Sequence, residues 1–184
     1  IRSPYLIDTA DFVACHQQSY LNKYDMTSNL KDGGSFLLNT IWSDEELDIH
    51  LPANVKRDLA NKHINFYTIN AVEIGEKIGL GNKFNMVLQS AFFMITEIIP
   101  KDDAIKYMKE FIVKSYGKKG EKIVNMNYAA VDEGAVGYHK VEVPASWADA
   151  VDTAAATSDR PDFIKNVVDV MNAQKGDTLP VSAF

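Results

Sequence analysis

Cysteine is almost missing from this chain. One residue in 184, Cys15, leaves no internal disulfide and no set of thiolates for a zinc site or an iron–sulfur cluster. Histidine is as thin. His16, His50, His63 and His139 are scattered without the H-x-x-x-H spacing that places two ligands on one helix face. An excess of positive charge is lacking too: 19 Lys and Arg face 25 Asp and Glu, a net charge of −6. That excludes a broad nucleic-acid surface, and any anionic ligand must be held by local donors against the overall field. Long apolar runs are absent. The nearest, Met86 to Ile99, carries Gln89, Ser90, Thr96 and Glu97, so no membrane span is expected. There is no Met start and no signal peptide. Ile1-Arg-Ser-Pro4 reads as the interior of a longer polypeptide, and the lone cysteine fits a cytoplasmic setting.

What is present is enough for a core: 46% of the residues are apolar. Three β-type runs, Asp11–His16, Ser35–Thr40 and Asn65–Asn70, are separated by helical stretches at Tyr20–Leu30 and Ser43–Lys62, the second interrupted at Pro52. This alternation predicts βαβ units, hence an α/β, Rossmann-like three-layer domain with a mainly parallel sheet. Ser43-x-x-Glu46 and Asn70-x-x-Glu73 are helix caps. Helices follow at Ala71–Ile78, from Asn82 to about Ile99, at Lys101–Tyr116 and over Asn125–Val136; His139–Val143 alternates like a strand. From Pro144 the texture changes to small residues, a last helix at Asp162–Gln174 and an extended end, Asp177–Phe184. The reading is an α/β domain over 1–143 and a tail or linker over 144–184.

The stretch Gly79-Leu-Gly-Asn-Lys-Phe-Asn-Met resembles a phosphate loop only at first sight. A dinucleotide fingerprint needs a preceding strand and a third glycine; here a helix precedes, and Phe84 occupies the third position. The pair therefore reads as a helix–helix corner, and an independent nucleotide-binding enzyme is disfavoured. The helix it launches carries Asn85, Gln89 and Thr96 on one stripe of an otherwise apolar sequence. If buried, those amides need partners, either backbone or a ligand rich in amides and phosphates. Asn127, beside the basic turn Lys118–Lys122, offers another neutral donor and acceptor. Cys15 and His16 point to opposite faces of a strand and cannot form a dyad; Cys15 reads as a buried strand residue and His16 as a strand-end residue. His50 and His63 read as surface residues, His139 as part of an edge strand, and Asp44-Glu45-Glu46 as acids at a helix N-terminus.

A collinear series of motifs runs nearly end to end: Phe12-Val-Ala-Cys-His16, Gly33-Gly34 with Phe36-Leu-Leu-Asn39, Trp42-x-Asp-Glu-Glu-Leu47, His50-Leu-Pro-Ala53, Gly79-Leu-Gly-Asn82, Tyr116-Gly-Lys-Lys-Gly-Glu-Lys122, Met126-Asn127 and Val143-Pro-Ala-Ser-Trp-Ala148. In this the chain resembles the gamma domain of pyruvate:ferredoxin (or flavodoxin) oxidoreductase. The resemblance implies a domain that helps bind coenzyme A, with two family asparagines carried over to Asn85 and Asn127. It implies thiamine diphosphate and 4Fe-4S clusters in other domains, none of them in this chain. It implies, as partners, the other domains of the same polypeptide, ferredoxin or flavodoxin, and a second copy in a homodimer. No catalytic residue is expected here. The family's domain starts earlier, so the sheet is expected to lack its first β-α unit. The competing reading is a non-catalytic docking or scaffold module of a multidomain oxidoreductase.

Overall fold

The computed structural model describes residues 9–151, 161–172 and 176–183. A four-stranded sheet forms its centre, in the order β1 (Ala10–Cys15), β2 (Leu30–Asn39), β3 (Asn65–Ile69), β4 (Tyr138–Val141). The first three strands run parallel and β4 closes one edge antiparallel to β3. The mainly parallel sheet expected from the βαβ alternation is present.

Alternation along the strands divides the core. Cys15, Phe36, Leu38, Phe66 and Val141 face one side. They pack with Leu47 and Leu51 around α1 (Asp44–His50), with Val55 and Leu59 of α2 (Ala53–Asn61), and with Trp147 of a 3-10 turn at Ala145–Asp149. Leu37 and Ile69 face the other side. There they meet Ala71 of α3 (Ala71–Lys77), Val87, Leu88 and Ala91 of α4 (Asn85–Thr96), and Ala130 of α6 (Glu121–Val136). Helix α5 (Lys101–Tyr116) adds a third cluster, in which Met108 and Ile112 pack on Val131. Helices cover both faces, which makes the three layers of the expected class.

Local chemistry accounts for the element ends. Ser43 accepts from the Glu46 N–H while Glu46 reaches back to the Ser43 N–H, a complete capping box. Asn70 accepts from the Glu73 N–H and starts α3. Pro52 separates α1 from α2 as its missing N–H requires. The helix at Asn125–Val136 is real and begins four residues earlier, at Glu121.

Three expectations are corrected. Tyr20–Leu30 is not an α-helix; a 3-10 turn covers Gln18–Asn22, and Leu30 already belongs to β2. Polar side chains compete with the helix there: Asp25 Oδ1 accepts from the Ser28 N–H, and Thr27 Oγ1 donates to Asp58 at 2.6 Å. Asn82 does not cap α4; the N-cap position is Phe84, without a side-chain cap. The end of the chain is not extended: 3-10 turns occupy Gly176–Thr178 and Val181–Ala183, the second closed by the Ala183 N–H on the Pro180 carbonyl. The expected last helix is present from Asp162 and is followed to residue 172, π-type over Ile164–Val168 and α over Asp169–Asn172 (α7). Ile1–Pro4, Ala154–Ser158, the helix end at Gln174 and the terminal Phe184 lie outside the described residues.

Candidate functional site

Parallel strands deliver their C-terminal ends to one rim of the sheet, where α/β domains gather ligands. At this rim the ends of β1 and β2, the start of α3 and the turn before α4 enclose a cavity of about 540 Å³. His16, Gln18, Asn39, Thr40, Asn82 and Phe84 are among its lining residues. Its floor is built by side chains that brace backbone. Asn39, buried, donates through Nδ2 to the His16 carbonyl (3.0 Å) and accepts at Oδ1 from the Ala71 N–H (3.0 Å), tying β1 to the first residue of α3. Thr40 Oγ1, also buried, donates to Gln18 Oε1 (2.6 Å) and accepts from the Trp42 N–H (3.1 Å). The Ile41 N–H donates to the same Gln18 oxygen.

The glycine corner is a packing device. The Leu80 and Gly81 N–H groups both donate to the Gly75 carbonyl. A Cβ on Gly75 would stand 2.5 Å from the Gly81 carbonyl oxygen. Gly79 and Gly81 take positive φ, +81° and +55°. Gly75 was not singled out in the sequence, and an isolated glycine inside a helical pattern was the available signal.

Asn85 occupies the first turn of α4, exposed, and its side chain has no partner among the described residues. Gln89 is exposed too. Thr96 is half-buried and donates to the Phe92 carbonyl (2.8 Å). Helix α4 turns Asn85 and Gln89 to solvent and its Val87, Leu88, Ala91 face to the core, so these two amides need no buried partner. Asn127 differs. It is 6% exposed on α6 and its Nδ2 donates to the Ile123 carbonyl (2.8 Å) one turn back. Met86, next to Asn85, and Tyr128, next to Asn127, both pack on the Met108–Ile112–Val131 cluster. Because Val87 of α4 meets Gly134 of α6 and Ser90 meets Val131, the two helices run antiparallel, and Asn85 and Asn127 lie at different levels of the α4–α6 pair.

The remaining candidates keep structural roles. Cys15 is buried, its Sγ donates to the Gln17 carbonyl (3.1 Å), and burial pushes the thiol pKa up, away from nucleophile behaviour. His16 lies on the opposite, exposed side at the cavity rim. His50 stacks on Trp42, His63 is exposed, and His139 on the β4 edge pairs with Asp44 at 3.0 Å. The backbone N–H of Glu45 and the Ser43 hydroxyl hold the Glu45 carboxyl below its usual range, as expected of a helix-start acid. Among the described residues no group of three or more His, Cys, Asp or Glu could hold a metal ion, and no helix is long and apolar enough to cross a membrane.

Fold and rim together define a Rossmann-like α/β domain with a cavity at the strand ends. The family model described as pyruvate ferredoxin/flavodoxin oxidoreductase matches residues 1–136, and one described as a domain of unknown function matches residues 150–184. The chain is 55% identical over its whole length to a pyruvate:ferredoxin oxidoreductase of Moorella thermoacetica and 50% identical to a pyruvate-flavodoxin oxidoreductase of Klebsiella pneumoniae. It spans 16% of the length of each. A mitochondrial NADP-dependent pyruvate dehydrogenase of Euglena gracilis is 39% identical across the whole chain, which spans 10% of that protein. The crystal structure of the pyruvate oxidoreductase subunit PORC of Thermotoga maritima shares the fold, with a TM-score of 0.59 at 16% identity over 74% of this chain and 67% of that one. This chain belongs to the pyruvate ferredoxin/flavodoxin oxidoreductase family.

Proposed function

We propose that this chain is one domain of an enzyme that decarboxylates pyruvate oxidatively, with coenzyme A as acetyl acceptor and ferredoxin or flavodoxin as electron acceptor. In this reading the domain contributes coenzyme A contacts. The carrying observation is the family match over 1–136, joined to relatives of that activity by name at 50 to 55% identity over the whole chain. Thiamine diphosphate and iron–sulfur clusters belong to other parts of the polypeptide. The one cysteine of this chain cannot ligate a cluster by itself. Residues 144–184 are the connection from the α/β domain towards a ferredoxin-like part, and the intact enzyme is a cytoplasmic homodimer.

Asn85 suits a contact with the cofactor's phosphates or amides. It is exposed, unpartnered, and sits among the free N–H groups of a twelve-residue helix. Asn127 has one amide hydrogen committed to its own helix, leaving its oxygen and second hydrogen for a ligand. The test is Asn85→Ala in the intact oxidoreductase. The apparent KM for coenzyme A rises about tenfold, the size of one lost hydrogen bond to a charged or buried group, while the KM for pyruvate is unchanged. Unchanged coenzyme A kinetics would remove the assignment.

A docking module remains the second reading, favoured by an apolar groove between α4 and α5. There Tyr107 and Phe111, each 54% exposed, flank Met86, Phe93 and Ile99. Full coenzyme A affinity in an Asn85→Ala, Asn127→Ala double variant would establish it.

A further inference from the structure

Helix α5 carries two apolar stripes. Ala104, Met108 and Ile112 face inward, the last two packing with Val131 of α6. Tyr107 and Phe111, one turn apart, form the second stripe and stay 54% exposed. They belong to a groove with helical spacing on both walls. On α4, Met86, Gln89 and Phe93 stand at i, i+3 and i+7; on α5, Ala104, Tyr107, Met108 and Phe111 stand at i, i+3, i+4 and i+7. Ile99 lines the end where residues 97–100 join the two helices. This is the spacing a third helix needs to seat its side chains between two others. The enclosed space, about 150 Å³, takes large side chains and is small for a free ligand, whose sites run to about 300–1,000 Å³.

Charge narrows the occupant. From Ala104 to Gly120 five lysines stand against one acid, Glu110, although the chain carries a net charge of −6. Lys109 pairs with Asp132, and Lys119 lies over the Tyr116 ring. Lys106, Lys114 and Lys118 are exposed and have no partner among the described residues. Lys114 continues the Tyr107–Phe111 stripe by one further turn. A second copy laid face to face about a two-fold axis would set these lysines against themselves. A helix flanked by carboxylates complements them. The Moorella and Klebsiella relatives, of which this chain spans 16%, hold most of their polypeptide outside the matched region, and a tethered segment reaches such a groove at high effective concentration.

We propose that the groove between α4 and α5 seats an amphipathic, acid-flanked helix from another part of the same polypeptide. Its apolar side chains lie between Met86, Phe93, Tyr107 and Phe111, and its carboxylates stand beside Lys106, Lys114 and Lys118. Docking removes the two exposed aromatic rings from water. The proposal rests on the oxidoreductase reading for the polypeptide beyond this chain and not on any coenzyme A contact. It names the chemistry of the partner that the docking reading leaves open.

The test places the photo-cross-linker p-benzoylphenylalanine at position 107 and, in a second protein, at position 111 of the intact oxidoreductase. Both positions are half-exposed, so at least one of the two variants folds. The expected product has the mass of a single polypeptide, with the link to a segment outside residues 1–184 that carries apolar residues at helical spacing flanked by Asp or Glu. In the Lys114→Glu, Lys118→Glu variant, hydrogen exchange of that segment speeds up about fivefold, the effect of turning two exposed attractions into repulsions. A link to a second copy, to this chain itself or to a segment without acids would overturn the proposal. So would no link above the unirradiated control, or exchange unchanged by the charge reversal. Each of these leaves the Asn85→Ala test of the coenzyme A reading standing.

Discussion

Single atoms decide how closely α4 and α6 approach. A Cβ on Gly134 would stand 2.4 Å from the Val87 carbonyl oxygen and 2.9 Å from the Val87 Cα, both backbone atoms that cannot swing away. Ser90 Oγ completes the contact by donating to the Val131 carbonyl at 2.6 Å. Gly134→Ala therefore forces the helices apart, at a cost of about 1–3 kcal/mol despite alanine's better helix propensity. A urea titration reads this as a lowered midpoint with unchanged slope. A midpoint at or above that of the parent would show that the helices separate freely. Asn39 works at the same scale. Its two hydrogen bonds hold β1 and α3 in register beneath the cavity, so Asn39→Ala leaves a buried N–H unpaired and lowers stability by about 1–3 kcal/mol.

Elements are joined by polar latches over apolar contacts. Trp147, 3% exposed, packs in the core shared with α1 and α2 and donates its indole N–H to Asp48 Oδ1 at 2.6 Å. Lys56 of α2 pairs with the same carboxylate at 3.2 Å and lies over the indole ring. The Trp147 hydrogen bond, then Lys56, hold the Asp48 carboxyl below its ordinary pKa of 3.8. A depressed folded pKa contributes stability above the unfolded value, and that contribution is lost as pH falls through the folded one. Trp147→Phe should thus be destabilising at neutral pH through both packing and the latch, with the difference from the parent narrowing below pH 3.8 as the carboxylate protonates in both. Stability measured across that window checks it; a difference independent of pH would detach Asp48 from the effect.

At the scale of the whole molecule, one edge of the sheet has no strand beside it among the described residues. β4 is paired to β3, while the outer edge of β1 has no strand partner among the described residues. An unpaired parallel edge beside the partly buried Phe12 invites another strand. We expect the isolated chain to self-associate at micromolar concentration, and a concentration-independent monomer by light scattering would refute this. Much of this architecture is legible in sequence. The β-type runs, the Pro52 break, the Ser43 and Asn70 caps and α5 follow from periodicity and local chemistry, which act over a few residues. The Tyr20–Leu30 stretch is not, because Asp58, a residue far along the chain, binds Thr27 and helps hold it out of a helix. The exposure of Asn85 and Gln89 is not, because an apolar helix can turn its polar stripe to solvent or core with the same sequence.

The sequence by itself determined the class of the domain, the structural nature of the Gly79–Gly81 corner, the exclusion of a cluster-binding role and the family, since each rests on residue type and spacing. Tertiary structure alone decided where the rim lies and which side chains line it. Gln18, Asn39–Thr40 and Asn82 come from three separate stretches of chain; the parallel pairing of β1 with β2 brings the first two to one end of the sheet, and the Asn39 bond to the Ala71 N–H ties the start of α3 to the same end. Gln18 acquires its clamped oxygen and free amide hydrogens through Thr40 and Ile41, contacts that no local pattern encodes.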